Sequence, residues 1–204
     1  MNKPIFITLE GIEGSGKSTS LDFIKSYFHK KNIKFINTRE PGGGPLGKDL
    51  RKVLLDKNQK IGSEIELLLM MADRGDHIKN IINPALKKGI SVISDRFHDS
   101  TIAYQGAGRN IDSKLINSIS NLINIPEPNL TLLFDLPVEE ALKRVKKRGS
   151  LDRFESETFK FHNRIRKKYL DLSELHSNRF RVIDSRYNLE SVEKNILKIL
   201  EQFI

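Results

Sequence analysis

The stretch Gly11-Ile12-Glu13-Gly14-Ser15-Gly16-Lys17-Ser18 follows the apolar run 5–10 and precedes the periodic stretch 19–31. This order predicts a strand, a loop and a helix. Glycines allow backbone angles that aim successive N–H groups at a phosphate, and the positive end of the following helix attracts an anion to the same place. We therefore predict a phosphate-binding loop, in which Lys17 reaches the outer phosphates and Ser18 is a ligand of Mg²⁺.

Length and composition restrict the class of protein. The 204 residues suit a single domain over 1–204, and the absence of cysteine rules out disulfides, a thiol nucleophile and a cysteine-based zinc site. The N-terminus does not resemble a secretion leader, and no run approaches the ~20 apolar residues that a membrane span requires. We expect a soluble, cytoplasmic protein without a membrane partner.

The net charge of +9 has two interpretations, which composition alone leaves open. It could reflect a nucleic-acid surface or a site for a multiply anionic small ligand. Part of the excess lies in 143–148 and 164–168, both on predicted helices, where a run of charge usually faces solvent. Lysine is plentiful throughout the chain, which favours a general compositional bias over a local binding stripe.

Hydrophobic patterning predicts an α/β fold with five strands. The strands are expected at 5–10, 33–36, 90–95, 130–135 and 180–184. Helices are expected at 19–31, 45–55, 63–88, 112–123, from Pro137 onward, 157–175 and 189–203. Because each strand is almost wholly apolar and helices alternate with strands, we predict a parallel sheet with helices on both faces.

Ligands bind beyond the carboxyl ends of the strands in such sheets. The predicted phosphate loop lies at one of these ends. The other polar segments that follow strands are 39–44, 95–96 and Asp135. We therefore expect a single site that collects all of them.

The helix that begins near residue 63 predicts two further features. Ser63 and Glu66 have the spacing of a capping box, in which each side chain would satisfy a backbone donor of the other residue. The following run 67–71 is wholly apolar and covers more than one helix face. We expect a homodimer through the helix around 64–74, the alternative being a helix enclosed in the core of a monomer.

Other segments narrow the class of phosphate-loop protein. We find no Asn-Lys-x-Asp of a GTPase, and a nucleic-acid motor would need a longer chain, which leaves a small kinase. The remaining motifs are Thr38-Arg39-Glu40-Pro41-Gly42-Gly43, Asp95-Arg96-Phe97, Ser100-Thr101-x-Ala103-Tyr104-Gln105-Gly106 and Arg148-Gly149-x-x-Asp152-Arg153. In this order and at these separations, they resemble the thymidylate kinase family, over about residues 5–203.

The resemblance implies a P-loop NTPase fold with a small lid at about 148–157. It implies transfer of the γ-phosphoryl group of Mg-ATP to thymidine monophosphate (dTMP), giving dTDP and ADP in dTTP biosynthesis. The acceptor phosphate is largely dianionic near neutral pH, given a second pKa of ~6, so no general base is required. The task is electrostatic, and it calls for arginines and a lysine.

The resemblance also assigns roles to single residues. The ATP-binding residues would be Gly11, Ile12, Glu13, Gly14, Ser15, Gly16, Lys17, Ser18 and Arg148. The dTMP-binding residues would be Glu13, Arg39, Met70, Arg74, Arg96, Thr101, Tyr104 and Gln105. The catalytic residues would be Lys17, Asp95, Arg96 and Arg153, and the metal-binding residues Ser18 and Asp95.

Some of these implied contacts are specific. Glu13 would reach the 3′-hydroxyl of the acceptor, and Tyr104 would crowd the 2′ position and so favour deoxyribose. Arg148 would pack on the adenine, while Arg153 would reach the transferring phosphate when the lid closes. The loop carries no arginine of its own, as in the family subgroup that places this charge on the lid.

Two departures from the family pattern keep a second acceptor possible. Met70 stands where a phenylalanine commonly stacks on thymine, and Phe97 replaces the usual tyrosine or histidine. A kinase of the same fold that uses another acceptor is one alternative. A nucleic-acid-stimulated ATPase, suggested by the basic charge, is another. We expect ATP and dTMP as ligands, Mg²⁺ as cofactor and no nucleic acid.

Overall fold

The computed structural model describes residues 3–149 and 151–203, so that Ser150 of the predicted lid lies outside the described residues. Within these ranges, five strands form one sheet in which every neighbouring pair is parallel. The strands are β1 (Phe6–Glu10), β2 (Phe35–Arg39), β3 (Ser91–Asp95), β4 (Leu130–Asp135) and β5 (Phe180–Asp184). Their order is β2-β3-β1-β4-β5, which confirms the predicted α/β class.

Helices connect successive strands. They are α1 (Lys17–Lys30), α2 (Gly47–Leu55), α3 (Ser63–His77), α4 (Asn83–Lys87), α5 (His98–Thr101), α6 (Ser113–Leu122), α7 (Val138–Lys147), α8 (Phe159–Leu175) and α9 (Leu189–Phe203). A π-helical segment Ile78–Ile82 joins α3 to α4, and a second one, Ile102–Gly108, continues α5.

The helices bury both faces of the sheet. On one face, residues of α1 and α9 such as Phe28 and Ile196 pack with Leu132 of β4. On the other, Ile165 of α8 packs with Leu133, the next residue of that strand. Since successive strand side chains point to opposite faces, a strand covered on both sides must be apolar throughout. The central strands satisfy this, whereas the edge strands β2 and β5 are partly exposed.

Several predicted boundaries match closely, and others do not. Strand β2 begins at Phe35, two residues later than expected, and ends at Arg39, three residues later. The long helix predicted over 63–88 is divided by a π-helical segment before Pro84, whose ring cannot donate a backbone hydrogen bond. The helical region 98–108 has no counterpart among the predicted helices.

The predicted capping box was wrong. Gly62 precedes the first turn of α3, and no side chain caps that helix. Glu66 is fully buried and turned away from the helix terminus, because its carboxylate accepts hydrogen bonds from Gln105, Arg109 and Arg153. Helix α6, by contrast, is capped by Asp112, whose side chain accepts a hydrogen bond from the backbone N–H of Lys114.

The parallel register brings the predicted site segments to one edge of the sheet. Leu9 of β1 and Arg39 of β2 both pair with Asp95 of β3. Glu10 therefore lies beside the end of β3, directly before the phosphate loop. In the part of the chain that the structure describes, no helix is both long and apolar enough to cross a bilayer.

Candidate active site

Three glycines with positive φ, Gly11, Gly14 and Gly16, shape the phosphate loop, and the first two are tightly packed. Gly11 has φ 137° and Gly14 has φ 78°, a region that residues with a side chain rarely adopt. A Cβ on either residue would lie 2.5 Å from a backbone oxygen, of Phe134 and Ala141 respectively. The loop therefore packs too closely on β4 and α7 to accept any other residue at these positions.

Lys17 begins α1 and is 8% exposed. Its Nζ donates to the carbonyl oxygens of Gly11 at 2.8 Å and Ile12 at 2.9 Å. Burial lowers the pKa of Lys17 to about 8, and nearby Arg96 acts in the same direction. The ammonium group thus lies inside the loop, at the position where the spacing predicts a phosphate contact.

Arg96 follows β3 and has an unusual backbone conformation. Its φ is 70°, the left-handed region that costs a residue with a side chain of order 1–3 kcal/mol. The guanidinium Nη2 donates to Glu13 at 2.8 Å and to the Tyr104 hydroxyl at 3.0 Å. Burial opposes the charge, but Tyr104 and Glu13 hold the pKa of Arg96 well above its usual value. Arg96 is therefore a fixed cation beside the phosphate loop.

Glu13 is the acid within the phosphate loop. The Tyr104 hydroxyl lies 2.7 Å from each of its carboxylate oxygens. Burial opposes its ionisation, but Arg96 and Lys17 outweigh burial and lower the pKa of Glu13. The carboxylate consequently stays ionised and connects the loop to β3 and to the segment that follows α5.

A second acid, Glu10, lies beneath Arg96 at the end of β1. It is fully buried and accepts hydrogen bonds from the backbone N–H of Phe97 at 2.8 Å and the hydroxyls of Ser100 at 2.6 Å and Tyr169 at 2.8 Å. Burial, together with the charge of Asp99, raises the pKa of Glu10 to about 7. This carboxyl anchors the turn that carries Arg96.

These groups open into a cleft of about 590 Å³. One end is lined by the phosphate loop from Glu13 to Ser18, and the lining continues through Asp95 and Arg96. The other end is lined by Met70, Arg74, Thr101, Tyr104 and Gln105. The cleft therefore has a strongly cationic end and a second end, here called the neutral end because its charged side chain, Arg74, is paired with Glu40.

Asp95 fits the role of a magnesium-binding residue. Asp95 lines the cleft, and its Oδ1 is buried and has no hydrogen-bond partner among the described residues. Ser18 lies in the same lining. In residues 3–149 and 151–203, no group of three or more acidic, histidine or cysteine side chains could hold a metal alone. Magnesium commonly uses one or two carboxylates together with water and substrate phosphates, which agrees with this set.

Comparison with known proteins agrees with the geometry. The family model described as "Thymidylate kinase" matches residues 9–196. The chain belongs to the thymidylate kinase family. A thymidylate kinase of Carboxydothermus hydrogenoformans is 48% identical over 197 residues, which is 96% of each chain. One from Neisseria meningitidis serogroup B is 45% identical and covers 98% of this chain and 97% of its own.

A solved structure supports the same fold. The crystal structure of thymidylate kinase from Ehrlichia chaffeensis superposes with a TM-score of 0.78 and 34% identity, covering 98% of this chain and 100% of its own. Because thymidylate kinases are P-loop NTPases, the predicted fold class is confirmed together with the family.

The structure brings most of the residues that the thymidylate kinase resemblance implies into one cleft. Those that line it are Glu13, Gly14, Ser15, Gly16, Lys17, Ser18, Arg39, Met70, Arg74, Asp95, Arg96, Thr101, Tyr104, Gln105 and Arg148. Gly11 and Ile12 lie behind this lining, where their carbonyl groups accept hydrogen bonds from Lys17.

Two residues expected at this site lie elsewhere. Asp135 forms an ion pair with Arg166 at 2.7 Å and does not line the cleft. The guanidinium of Arg153 donates to Glu66 at 2.6 Å and to the carbonyl of Leu54 at 2.8 Å, so it is directed away from the phosphate loop. Its contact with a transferring phosphate stays a prediction that requires the lid to rearrange.

Arg74, which the resemblance places in contact with the base, is bound by protein groups in this structure. All three guanidinium nitrogens have protein partners: Glu40 at 2.8 Å, Thr101 Oγ1 at 2.6 Å and the carbonyl of Phe97 at 2.9 Å. Because Nη1 of Arg74 donates to Oγ1 of Thr101, that oxygen acts as an acceptor on the side of Arg74. Contact of Arg74 with a base stays a prediction.

Sequence reasoning missed several residues of the site. Arg51 and Arg144 line the cleft, and Glu10 and Glu66 lie behind it. Both arginines lie on helices, and a basic residue on a helix usually faces solvent. The sequence therefore did not indicate a role in the site for either of them. For Glu10, an acid ending an otherwise apolar strand was the available signal.

We predict a pH effect on stability from Glu10. Its pKa of about 7 in the folded protein exceeds the 4.5 of a free glutamate, so the folded state keeps a proton that the unfolded state loses. Wild-type stability should therefore fall as pH rises from about 4.5 to 7. Relative to wild type, the Glu10→Gln variant should gain on the order of 1–3 kcal/mol between pH 5 and 8. Urea unfolding at four pH values measures this.

The matched control is Glu13→Gln, because that carboxyl has a lowered pKa and should not titrate in this window. A stability difference between wild type and Glu10→Gln that stays constant from pH 5 to pH 8 would contradict the assignment of a raised pKa to Glu10.

Proposed function

We propose that this chain transfers the γ-phosphoryl group of ATP to dTMP, forming dTDP and ADP, as a nucleoside monophosphate kinase in dTTP biosynthesis. The observation that carries the proposal is one continuous cleft. Its cationic end holds the phosphate loop, and its neutral end holds the residues that match the family's acceptor site. Membership of the thymidylate kinase family supports the same reaction.

The chemistry follows from charge. Two anions must approach each other, and negative charge spreads over the transferred group. Lys17 and Arg96 lie at the phosphate loop, while Arg39 and Arg51 line the same cleft. A guanidinium presents a planar pair of donors that suits a phosphate better than an ammonium group does. These cations hold the reacting phosphates together, and the dianionic acceptor oxygen attacks without a base.

Mg²⁺ completes the donor site in this proposal. Ser18 and Asp95 would hold it together with water and the donor phosphates, and the ion would neutralise charge on the β- and γ-phosphates. The unpartnered Oδ1 of Asp95 supports this assignment. Lys17 lies in the same lining and supplies a positive charge of its own.

The lid contributes Arg148 to the ATP end of the cleft. This residue directly follows α7 and lines the cleft, and its side chain is 61% exposed although it pairs with Glu155. Exposure leaves it able to move onto an adenine ring, as the family resemblance implies. Arg153 would have to leave Glu66 to reach the phosphates.

The acceptor base would lie at the neutral end. Thr101 and Gln105 are almost fully buried and line the cleft, which suits them to read the edge of a pyrimidine. Met70 also lines this end, and its flexible thioether can pack on a ring without the geometry of an aromatic face. Tyr104, fixed by Glu13, would crowd a 2′-hydroxyl.

We propose that two copies of the chain associate through α3. Ile65 is 55% and Leu68 is 52% exposed, and with Ala72 they lie on one stripe of that helix. The neighbouring helix α6 exposes Leu115 and Leu122, which are seven residues apart and so share a face. Burying these groups against a second copy would remove them from water. A cytoplasmic location and the absence of a nucleic-acid partner stay sequence-based predictions.

The acceptor is tested with purified protein and Mg-ATP in a coupled assay of ADP release. We expect the largest kcat/KM for dTMP among the monophosphates of thymidine, deoxyuridine, deoxycytidine, deoxyguanosine and uridine, with free thymidine inactive. Uridine monophosphate should be near background, because Tyr104 crowds the 2′ position. ADP release that ignores every acceptor but rises with single-stranded DNA would contradict a kinase.

The role of Lys17 is tested by Lys17→Met. Loss of a preorganised cation at the transferring phosphate should lower kcat by about 10²-fold or more. Lys25→Met is the matched control, because Lys25 lies on the same helix but pairs with Asp22 in an exposed position. Equal activity of the two variants would show that Lys17 does not act on the phosphates.

The proposed dimer is tested by Leu68→Glu. A charge in the centre of the α3 stripe should convert wild-type dimers into monomers in size-exclusion chromatography with light scattering. Leu175→Glu is the control, since Leu175 is 74% exposed at the end of α8 and lies outside the stripe. A wild-type protein that runs as a monomer at tens of micromolar would contradict the proposal.

A further inference from the structure

Glu66 of α3 joins three separate parts of the active-site region. It is fully buried. Its carboxylate accepts hydrogen bonds from Gln105 Nε2 at 2.8 Å, Arg109 Nε at 3.1 Å and Arg153 Nη1 at 2.6 Å. The donors belong to the π-helical segment, the turn that follows it and the lid. One carboxylate therefore connects a wall of the cleft to the lid.

The contact with Glu66 determines which way the amide of Gln105 points. A carboxamide has an NH₂ donor at one end and a carbonyl acceptor at the other, whereas a carboxylate only accepts. Nε2 must therefore face Glu66. Gln105 is 1% exposed and lines the cleft, so its carbonyl Oε1 is the end that remains for the cleft side.

The reversed amide would be costly. It would place the carbonyl oxygen of Gln105 against the carboxylate of Glu66, leaving two buried acceptors in contact without a hydrogen between them. Two arginines also donate to this carboxylate, and Nε2 of Gln105 is the third donor. The orientation of Gln105 is consequently set by Glu66 before any base enters the cleft.

We propose that Glu66 is a positioning residue that turns the carbonyl oxygen of Gln105 toward the acceptor base and thereby selects bases with a hydrogen on the ring nitrogen. This rests on the proposed function. Thymine and uracil carry a hydrogen on N3, which a carbonyl oxygen accepts. Cytosine presents an unprotonated N3, which would meet the carbonyl as a second acceptor.

The contact of Glu66 with Arg153 of the lid can be distinguished experimentally from its effect on the orientation of Gln105. Loss of Glu66 would also free Arg153, and a lid defect changes turnover with every acceptor. The orientation of Gln105, by contrast, changes the kcat/KM values of different bases by different factors. The informative quantity is therefore the base ratio, defined as kcat/KM for dTMP divided by kcat/KM for deoxycytidine monophosphate.

The experiment compares the base ratio of Glu66→Gln with that of wild type. A neutral amide at position 66 no longer forces the orientation of Gln105, so the base ratio should fall by about tenfold or more. Glu157→Gln is the matched control. It removes one negative charge from the other carboxylate on Arg109, at 2.5 Å, without touching Gln105. Its base ratio should equal that of wild type.

The Gln105→Leu variant tests whether Glu66 acts through Gln105 or whether its substitution causes a general loss of folding or activity. This variant should itself lower the base ratio, and adding Glu66→Gln to it should cause no further fall. The proposal is overturned if Glu66→Gln keeps the wild-type base ratio, if Glu157→Gln lowers it equally, or if the effects of Glu66→Gln and Gln105→Leu on it are additive.

A measurement on the wild type covers the case in which Glu66→Gln does not fold. By NMR, the side-chain amide protons of Gln105, assigned by their loss in Gln105→Leu, should exchange with solvent at least about tenfold more slowly than those of exposed Gln59. Equal exchange rates would overturn the proposal. A wild type that is inactive with dTMP would refute the proposed function instead, and the exchange result would still report on Glu66 and Gln105.

Discussion

The ion pair between Arg96 and Glu13 is the interaction on which the site depends. The two residues are 83 positions apart in the chain, and their contact at 2.8 Å fixes the phosphate loop to the end of β3. A cleft for two phosphate groups has to concentrate positive charge, and cations without partners would repel one another. Glu13 relieves this repulsion at the centre of the cluster. It also holds Tyr104, so the same carboxylate connects the phosphate end of the cleft with the acceptor end.

Behind the cleft, other buried acids also hold side chains of the site in place. Glu10 anchors the turn that carries Arg96, Glu40 pairs with Arg74 at 2.7 Å, and Glu66 binds Arg153. A buried carboxylate is costly unless it is paired and hydrogen-bonded, and each of these accepts at least two hydrogen bonds. A paired carboxylate fixes the orientation of the side chain that donates to it. The acids thus hold the arrangement of the side chains in and behind the cleft.

Local signals in the sequence predicted the strands, most helices and the phosphate loop, because glycine spacing and hydrophobic period are short-range properties. The partners of the buried charged side chains could not be predicted from the sequence. Glu66 had the local spacing of a helix cap, yet it binds Arg153, which is 87 residues away. Arg153 had the position of a lid arginine, yet it points toward Glu66. Both differences have one cause. The fold determines which group lies next to a buried charge, and sequence spacing does not reveal that group.

In the proposed function, the two ends of the cleft would recognise their ligands by different physics. Phosphates carry full charges and would be met by Lys17 and Arg96, which need only be close and positive. A pyrimidine base is neutral, so its recognition depends on which way each neighbouring dipole points. A neutral amide or hydroxyl can reverse its direction at little cost unless a buried ion holds it. Glu66 and Arg74 supply such ions for Gln105 and Thr101. In the proposed function, these charges would influence which base fits through the side chains that they orient.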